Sequence, residues 1–296
     1  MNAISNERAG IYFVYGYGGT EKTFIWRTLC AVLRCKGEIV LDVVSSGVAA
    51  LLLPSGRTAH SRFGIPINVS DKSMYTITPG IELAALIMSA RLIIWDESPM
   101  MNRYYFEVLD RSLKLIATYG RIILPFGGKV IVLGGDFRQI LSVVPKGNRE
   151  DIIYSSISSS PLWHHCKVLR LTKNMRLTVG QTMSSSRLQE IKDFLYWILK
   201  IRDGEFGEEV DGETFVDIPD DILIRDAEDH IAAIVESTYP SLISNFHASN
   251  FFEERAILAP TNSIVELLNN YVMSVILGDE RIILVPTVYA RLMRPL

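Results

Sequence analysis

The stretch VYGYGGTEKTF, Val14 to Phe24, decides how this chain is read. Its spacing is nearly that of a phosphate-binding loop, G-x-x-x-x-G-K-[ST], in which backbone N–H groups close on phosphate oxygens. Gly16 opens the pattern and Lys22-Thr23 close it, but Glu21 stands where the second glycine belongs. By itself, a loop with that glycine missing fits an ordinary turn as well as a nucleotide site. The flanking sequence has to decide.

Upstream, IYFVYG (11–16) is a short apolar run that predicts a buried strand. Downstream, KTFIWRTLCAVLRCKG (22–37) predicts a helix. Phe24, Ile25, Thr28, Leu29, Val32 and Leu33 recur there at helical spacing, and Gly37 is the stop. EIVLDVV (38–44), RLIIWDE (91–97) and GKVIVLGGD (128–136) are further strands. Strands alternating with helices predict an α/β fold, a parallel sheet covered on both faces. Ligands of such sheets bind outside the carboxyl ends of the strands.

Three of those ends are polar in a coherent way: GYGGTEKT, WDES and GGDFRQ. The loop amides of Gly16, Gly18, Gly19 and Thr20 can cradle phosphate at a helix N-terminus. Lys22 would reach the β/γ-phosphates, and Thr23 and Asp96 would serve a Mg²⁺ ion. Glu97 can take a proton from an attacking water, Gln139 can orient the γ-phosphate, and Arg176 can stabilise transferring charge. Each piece has a plain counterpart: a solvated Asp-Glu turn, an ordinary GGDFRQ turn, a surface arginine. The order of all three on successive strand ends is what chance does not readily supply.

The remaining chain adds context. HCKVLRLTKNMRL (165–177) contains a strand, and SSRLQEIKDFLYWILKI (185–201) predicts a helix with Leu188, Ile191, Phe194, Leu195 and Ile198 on one side. GEFGEEVDGETFVDIPDD (204–221) reads as an acidic, exposed loop with a short strand, and ERAILAPTN (254–262) as a strand entering a turn. A net charge of −3 gives no support to a globally basic nucleic-acid binder, though a local basic groove remains compatible with it. Cys30, Cys35 and Cys166 show no paired spacing, which argues against a disulfide framework. The HHC run (164–166) has no second ligand pair at zinc spacing, and Trp26, Trp95, Trp163 and Trp197 sit in apolar stretches, as core residues do. With neither a secretory signal nor an apolar run long enough to span a bilayer, an intracellular protein with no membrane partner is expected.

Taken together, FVYGYGGTEKTF, SSGVAALLLPSGRTAHSRFGIPI, LIIWDESPMMNRYYFEVLDRSL, FGGKVIVLGGDFRQILSVVPKG, LWHHCKVLRLTKNMRL and ERAILAPTN resemble the Pif-type DNA helicases, in the RecD-like branch of superfamily one and in their plant and Helitron-like versions. The resemblance covers the chain to about residue 277. It implies a P-loop NTPase of two RecA-like domains, with residues 1–172 as the first and 173–296 as part of the second. It implies ATP and Mg²⁺ at Lys22, Thr23, Asp96, Glu97, Gln139 and Arg176, and 5′-to-3′ movement along single-stranded or forked DNA. It places Ser45, Ser46, Arg57, Thr58, His60 and Ser61 on the DNA path, where hydroxyls and charge suit phosphates and Phe63 suits either a base or the core. It also implies a monomer acting in repair, recombination and telomere maintenance, in the nucleus or an organelle.

The chain departs from that pattern in three ways. Glu21 puts a side chain and a negative charge where phosphates approach. At about 4 Å and an effective dielectric near 20, one such charge pair costs roughly 4 kcal/mol, so weak ATP binding and little turnover are expected. The resemblance leads us to expect the lack of an adenine-reading element before the loop, the lack of the motifs that follow LAPTN in the family, and so an incomplete second domain. Ser142 replaces a proline and Arg202 a glycine, which are minor differences. Three readings therefore stand: an active helicase, a catalytically impaired and transposon-derived fragment, and a nucleic-acid-binding or protein-binding remnant.

Overall fold

A computed structural model describes residues 9–276, apart from 52, 54–55, 67–68, 74–76, 78–79, 118–123, 176–184, 211–212, 226–227, 249 and 254. The chain divides into two compact units, one ending at Phe206 and one beginning at Gly207.

The first unit is built on β1 (Gly10–Tyr15), β2 (Ile39–Val44), β3 (Arg57–Thr58), β4 (Ala90–Asp96), β5 (Val130–Gly135) and β6 (Cys166–Arg170). They form one sheet in the order β3-β2-β4-β5-β1-β6, and every pairing is parallel. Side chains alternate across it, as the strand period of two requires. Ile11, Phe13, Leu41, Val43, Ile93, Trp95, Ile131 and Leu133 enter the core on one face. Val14, Val40, Val44, Leu92, Ile94, Val130 and Val132 enter the core on the other.

Helices cover both faces. On the second face lies α1 (Lys22–Arg34), which buries Trp26, Cys30 and Leu33. Of the expected apolar face, Leu33 is in the core, whereas Phe24 is 65% exposed and Ile25 and Leu29 only flank it. Positions i, i+4 and i+7 from Trp26 form the inner stripe because the indole is the largest group that the sheet accepts there. The first face is covered by α3 (Ala59–Phe63), α4 (Glu82–Ser89) and α5 (Arg103–Ala117), through Phe63, Ile87, Phe106, Leu109 and Leu113. Two short helices, α2 (Gly47–Ala50) and α6 (Arg149–Ser155), lie in the connections.

The compact units divide after Phe206, whereas the resemblance put the domain boundary at 172/173. Helix α7 (Ser185–Asp203) accordingly belongs with the sheet. Its last turn is bound by ion pairs of Arg202 with Asp136 and of Asp203 with Arg138.

From Gly207, the acidic stretch forms an antiparallel hairpin of β7 (Glu208–Val210) and β8 (Glu213–Phe215), two short strands where one was expected. Helices α8 (His230–Thr238), α9 (Leu242–Asn245) and α10 (Asn262–Val275) follow. They share a small core of Val235, Leu242, Phe251 and Leu268. The strand expected within 254–262 is not formed: residues 255–259 are irregular, with no ladder partner among the described residues. An apolar run becomes a strand only where another strand takes its backbone hydrogen bonds.

Candidate active site

The sheet order creates a crevice. From β1 the chain crosses by α1 to β2 on one side, whereas after β5 it returns past β1 to β6 on the other. The carboxyl ends of β1 and β5 therefore flank a topological switch point, where ligands of such sheets bind. Tyr15 lies level with Gly135 and Arg170, and Trp95 with Leu133, so all the polar strand ends open at one height.

The loop after β1 begins at Gly16, whose amide donates to the Gly135 carbonyl at 3.2 Å. Thr20 folds the loop inward, its hydroxyl donating to the Tyr17 carbonyl at 2.8 Å. Lys22 is buried at the first turn of α1, and its ammonium donates to the Gly16 carbonyl at 2.6 Å. Thr23 is half-buried beside it and Gly18 is exposed. Glu21 is exposed and takes a left-handed conformation, φ 62° and ψ 38°. The glycine pattern thus has its physical cause in the backbone itself. That conformation costs a residue with a Cβ roughly 1–2 kcal/mol, and Glu21 gives α1 no side-chain cap in return.

The segment after β6 straps the loop, a contact the sequence does not reveal. The Leu171 amide donates to the Tyr15 carbonyl at 2.8 Å and the Met175 amide to the Gly19 carbonyl at 2.8 Å. The Tyr17 hydroxyl donates to the Thr172 carbonyl at 3.0 Å. Gly19 has φ 88°, and a Cβ there would meet Asn174 Oδ1 at 2.4 Å. Arg176, the next residue after this strap, lies outside the described residues.

Asp96 and Glu97 end β4. Burial pushes the Asp96 carboxyl above its ordinary range, against the opposing pull of the Glu97 amide, the Trp26 indole and the Lys22 charge. Glu97 is also raised, first by burial and then by the charges of Asp96 and Asp136. Its backbone is left-handed, φ 51°, and its Oε2 is buried with no hydrogen-bond partner. A buried, unpartnered carboxylate oxygen is costly in a folded core and marks a group awaiting a ligand or water. The residues therefore fit a nucleotide with its cation: loop amides and Lys22 for phosphate, Thr23 and Asp96 for the ion, Glu97 for a water.

The glycines of GGDFRQ have a steric reason. A Cβ on Gly134 would lie 2.4 Å from Trp26 Cζ2 and 2.9 Å from Asp96 Oδ1. The bare strand admits the indole beneath the carboxylate. Gln139 is half-buried in the following turn, its amide donating to the Asp136 carbonyl at 3.1 Å.

The six residues assigned to the DNA path divide in two. Ser45 is turned to the site: its hydroxyl donates to the Glu97 carbonyl at 2.7 Å and accepts from Trp95 Nε1 at 3.2 Å. Ser46 accepts from the Ala49 amide at 3.2 Å, and Thr58 caps α3 by accepting from the Ser61 amide at 3.2 Å. The Ser46 and Thr58 hydroxyls serve the local backbone, whereas Ser45 ties the end of β2 to the end of β4. Arg57 and the Ser61 side chain are exposed, and half-buried His60 packs edge-on against Tyr105. Phe63 is fully buried against Trp95, a core residue and not a base-stacking one.

The family model described as PIF1-like helicase matches residues 1–212. The ATP-dependent DNA helicase PIF4 of Trypanosoma brucei brucei is 30% identical over 134 residues, 44% of this chain and 16% of that protein. The ATP-dependent DNA helicase RRM3 of Saccharomyces cerevisiae is 29% identical over 182 residues, 60% of this chain and 24% of that protein. Among solved structures, the Pif1 helicase from Bacteroides in complex with ADP-AlF3 and ssDNA aligns with a TM-score of 0.54. It is 24% identical, over 69% of this chain and 45% of that one. This chain spans less than half the length of each. The structural likeness bears on the fold: a parallel sheet with helices on both faces, as in the RecA-like domains of such helicases.

Proposed function

The chain belongs to the PIF1-like helicase family, and from that premise we propose that its first unit is an ATP-dependent DNA helicase motor domain. In this reading the strand-end crevice binds ATP and Mg²⁺, and hydrolysis drives 5′-to-3′ movement on single-stranded and forked DNA. The observation that carries the proposal is the meeting of buried Lys22, buried Asp96 and the unpartnered Glu97 Oε2 at the switch point.

In the reaction, the amides of Gly16, Gly18, Gly19 and Thr20 hold the phosphates, with Lys22 beside the β/γ pair. Thr23 and Asp96 are the residues that would hold a Mg²⁺ ion, which when bound would offset the charge developing on the phosphoryl group. Glu97, made more basic by burial and by Asp96, takes the proton of the attacking water. Gln139 orients the γ-phosphate and Arg176 stabilises its charge. Arg57, His60 and Ser61 supply the DNA face, with Ser45, Ser46 and Thr58 shaping it from behind. The segment beyond the first unit is the start of the second RecA-like domain, and the enzyme works as a nuclear or organellar monomer in DNA repair, recombination and telomere maintenance.

A second reading is favoured by one observation. Glu21 holds the left-handed glycine position with a charged side chain, so this copy is an impaired motor or a DNA-binding remnant. DNA-stimulated ATPase activity separates the two when the unaltered chain is assayed beside Glu21→Gly and the double variant Glu21→Gly/Glu97→Gln. The motor reading expects turnover in Glu21→Gly and a loss of about 10²-fold or more on adding Glu97→Gln, with ATP still bound. Equal turnover with and without Glu97 would refute it.

A further inference from the structure

The turn after β5 is held by residues more than sixty positions along the chain. Asp136 is fully buried. Its Oδ1 accepts from the Arg138 amide at 3.0 Å, and its carbonyl accepts from the Gln139 amide at 3.1 Å. Its Oδ2 accepts from Arg202 Nη2 at 2.5 Å. Beside this pair, Arg138 Nη2 donates to Asp203 Oδ2 at 3.1 Å. Arg202 and Asp203 are the last two residues of α7.

Two adjacent ion pairs of opposite sense therefore join one helix end to one turn. The alternation fixes their register. Any exchange of partners would set Arg202 against Arg138 and Asp203 against Asp136, and like charges in contact reject that arrangement. The buried carboxylate needs this counter-charge, since a charge without one is strongly destabilising away from water. The rest of the turn is braced by rings. Phe137 stacks on Phe13 at 5.0 Å between centroids and on Tyr15 at 6.2 Å. The Arg138 guanidinium lies 5.9 Å from the Tyr15 ring centre. Asp136, Phe137 and Arg138 are each held, and Gln139 follows them half-buried.

We propose that Arg202 is a positioning residue for Gln139. By neutralising Asp136 it holds the 136–139 turn in the shape that presents Gln139 to the crevice, so that discrimination between a nucleoside triphosphate and a diphosphate depends on the last turn of α7. This rests on the reading of Gln139 as the γ-phosphate residue. The sequence marked Arg202 only as a departure from the family pattern, an arginine in place of a glycine, and nothing in it linked that position to Asp136, sixty-six residues away.

The test has two arms on the full chain. The first is hydrogen exchange without nucleotide, in the unaltered protein, Arg202→Ala and Arg202→Lys. Arg202→Ala should speed exchange of the Arg138 and Gln139 amides by about tenfold or more, as expected on unpairing a buried carboxylate. Exchange in β2 and β4 should stay near that of the unaltered protein, and Arg202→Lys should recover part of the protection. Unchanged exchange at 138–139, or an increase spread evenly over the sheet, overturns the proposal. The second arm measures the affinity ratio of a non-hydrolysable ATP analogue to ADP. Arg202→Ala should lower that ratio severalfold with ADP affinity retained, and Arg202→Lys should restore it in part. A ratio unmoved by Arg202→Ala overturns the positioning role. Absence of any nucleotide binding in all three proteins and in their Glu21→Gly counterparts would refute the ATP reading and with it the assignment of Gln139, whereas the exchange arm alone still reads the hold of Arg202 on the turn.

Discussion

Glu21 and Asp42 are the two residues whose placement most directly sets measurable behaviour. Glu21 sits at φ 62° in the phosphate loop. Exchange for glycine removes a left-handed penalty of roughly 1–2 kcal/mol and a charge facing the phosphates. Calorimetric titration with a non-hydrolysable ATP analogue should show Glu21→Gly binding at least about tenfold tighter, which is only about 1.4 kcal/mol of the repulsion expected at contact range. Asp42 lies in the middle of β2 with 1% of its surface exposed. One oxygen accepts a weak bond from Cys30 Sγ at 3.7 Å and the other has no partner. Burial, the largest cause, lifts its carboxyl from 3.8 to about 6. Because the folded state holds this proton more tightly than the unfolded chain, the contribution to stability is fully present below pH ~4 and lost as pH rises through about 6. At about 1.4 kcal/mol per pH unit, the loss is at most about 3 kcal/mol. Denaturant midpoints at pH 5 and pH 7.5 should therefore fall less for Asp42→Asn than for the unaltered protein; an equal fall would remove Asp42 as the cause.

The elements were read from local pattern, and their errors share one cause. Strands β1, β2, β4, β5 and β6, with α1 and α7, are legible because apolar runs and helical spacing are properties of short segments. The inner face of α1 is legible only in part. Leu33 and Trp26 lie in the core as read, but the spacing also favoured Phe24, Ile25 and Leu29 and passed over Cys30, which the sheet accepts. Thermal melts should show it: Leu33→Ala should cost about 2–5 kcal/mol, the usual range for emptying a core site, and Phe24→Ala less than about 0.5 kcal/mol, as at exposed positions. On β5, Gly134→Ala would drive a methyl to within 2.4 Å of Trp26 Cζ2. Overpacking of this kind costs about 1–3 kcal/mol, and here it would displace Asp96 as well. Nucleotide affinity should fall together with stability, and a Gly134→Ala protein that binds nucleotide normally would show that the close approach is not required. The second strand of the β7–β8 hairpin was missed and the unpaired 255–259 segment was misread for the same reason: strand identity belongs to a pair, and a single run does not specify its partner.

For the molecule as a whole, the unit boundary after Phe206 has a direct consequence. A chain ending at Phe206 keeps α7 with its ion pairs to Asp136 and Arg138, and a chain ending at Thr172 loses them. The longer one should unfold in a single cooperative transition by circular dichroism, and the shorter one should melt lower or aggregate, with Asp136 left buried and unpaired at a cost of about 3–5 kcal/mol. Equal midpoints would move the boundary back to 172. By itself the sequence determined the phosphate loop, the carboxylate pair, the GGDFRQ turn, the parallel α/β class and the family resemblance. All of these are carried by contiguous residues, because a strand ending in a polar loop is a local arrangement. Only the tertiary structure decided that β5 lies between the strands of the loop and the carboxylates, that the segment after β6 straps the loop, that Ser45 braces Glu97, and that Arg202 closes on Asp136. Those contacts join residues far apart in the chain, and their energy depends on sheet order and burial, which no short window of sequence contains.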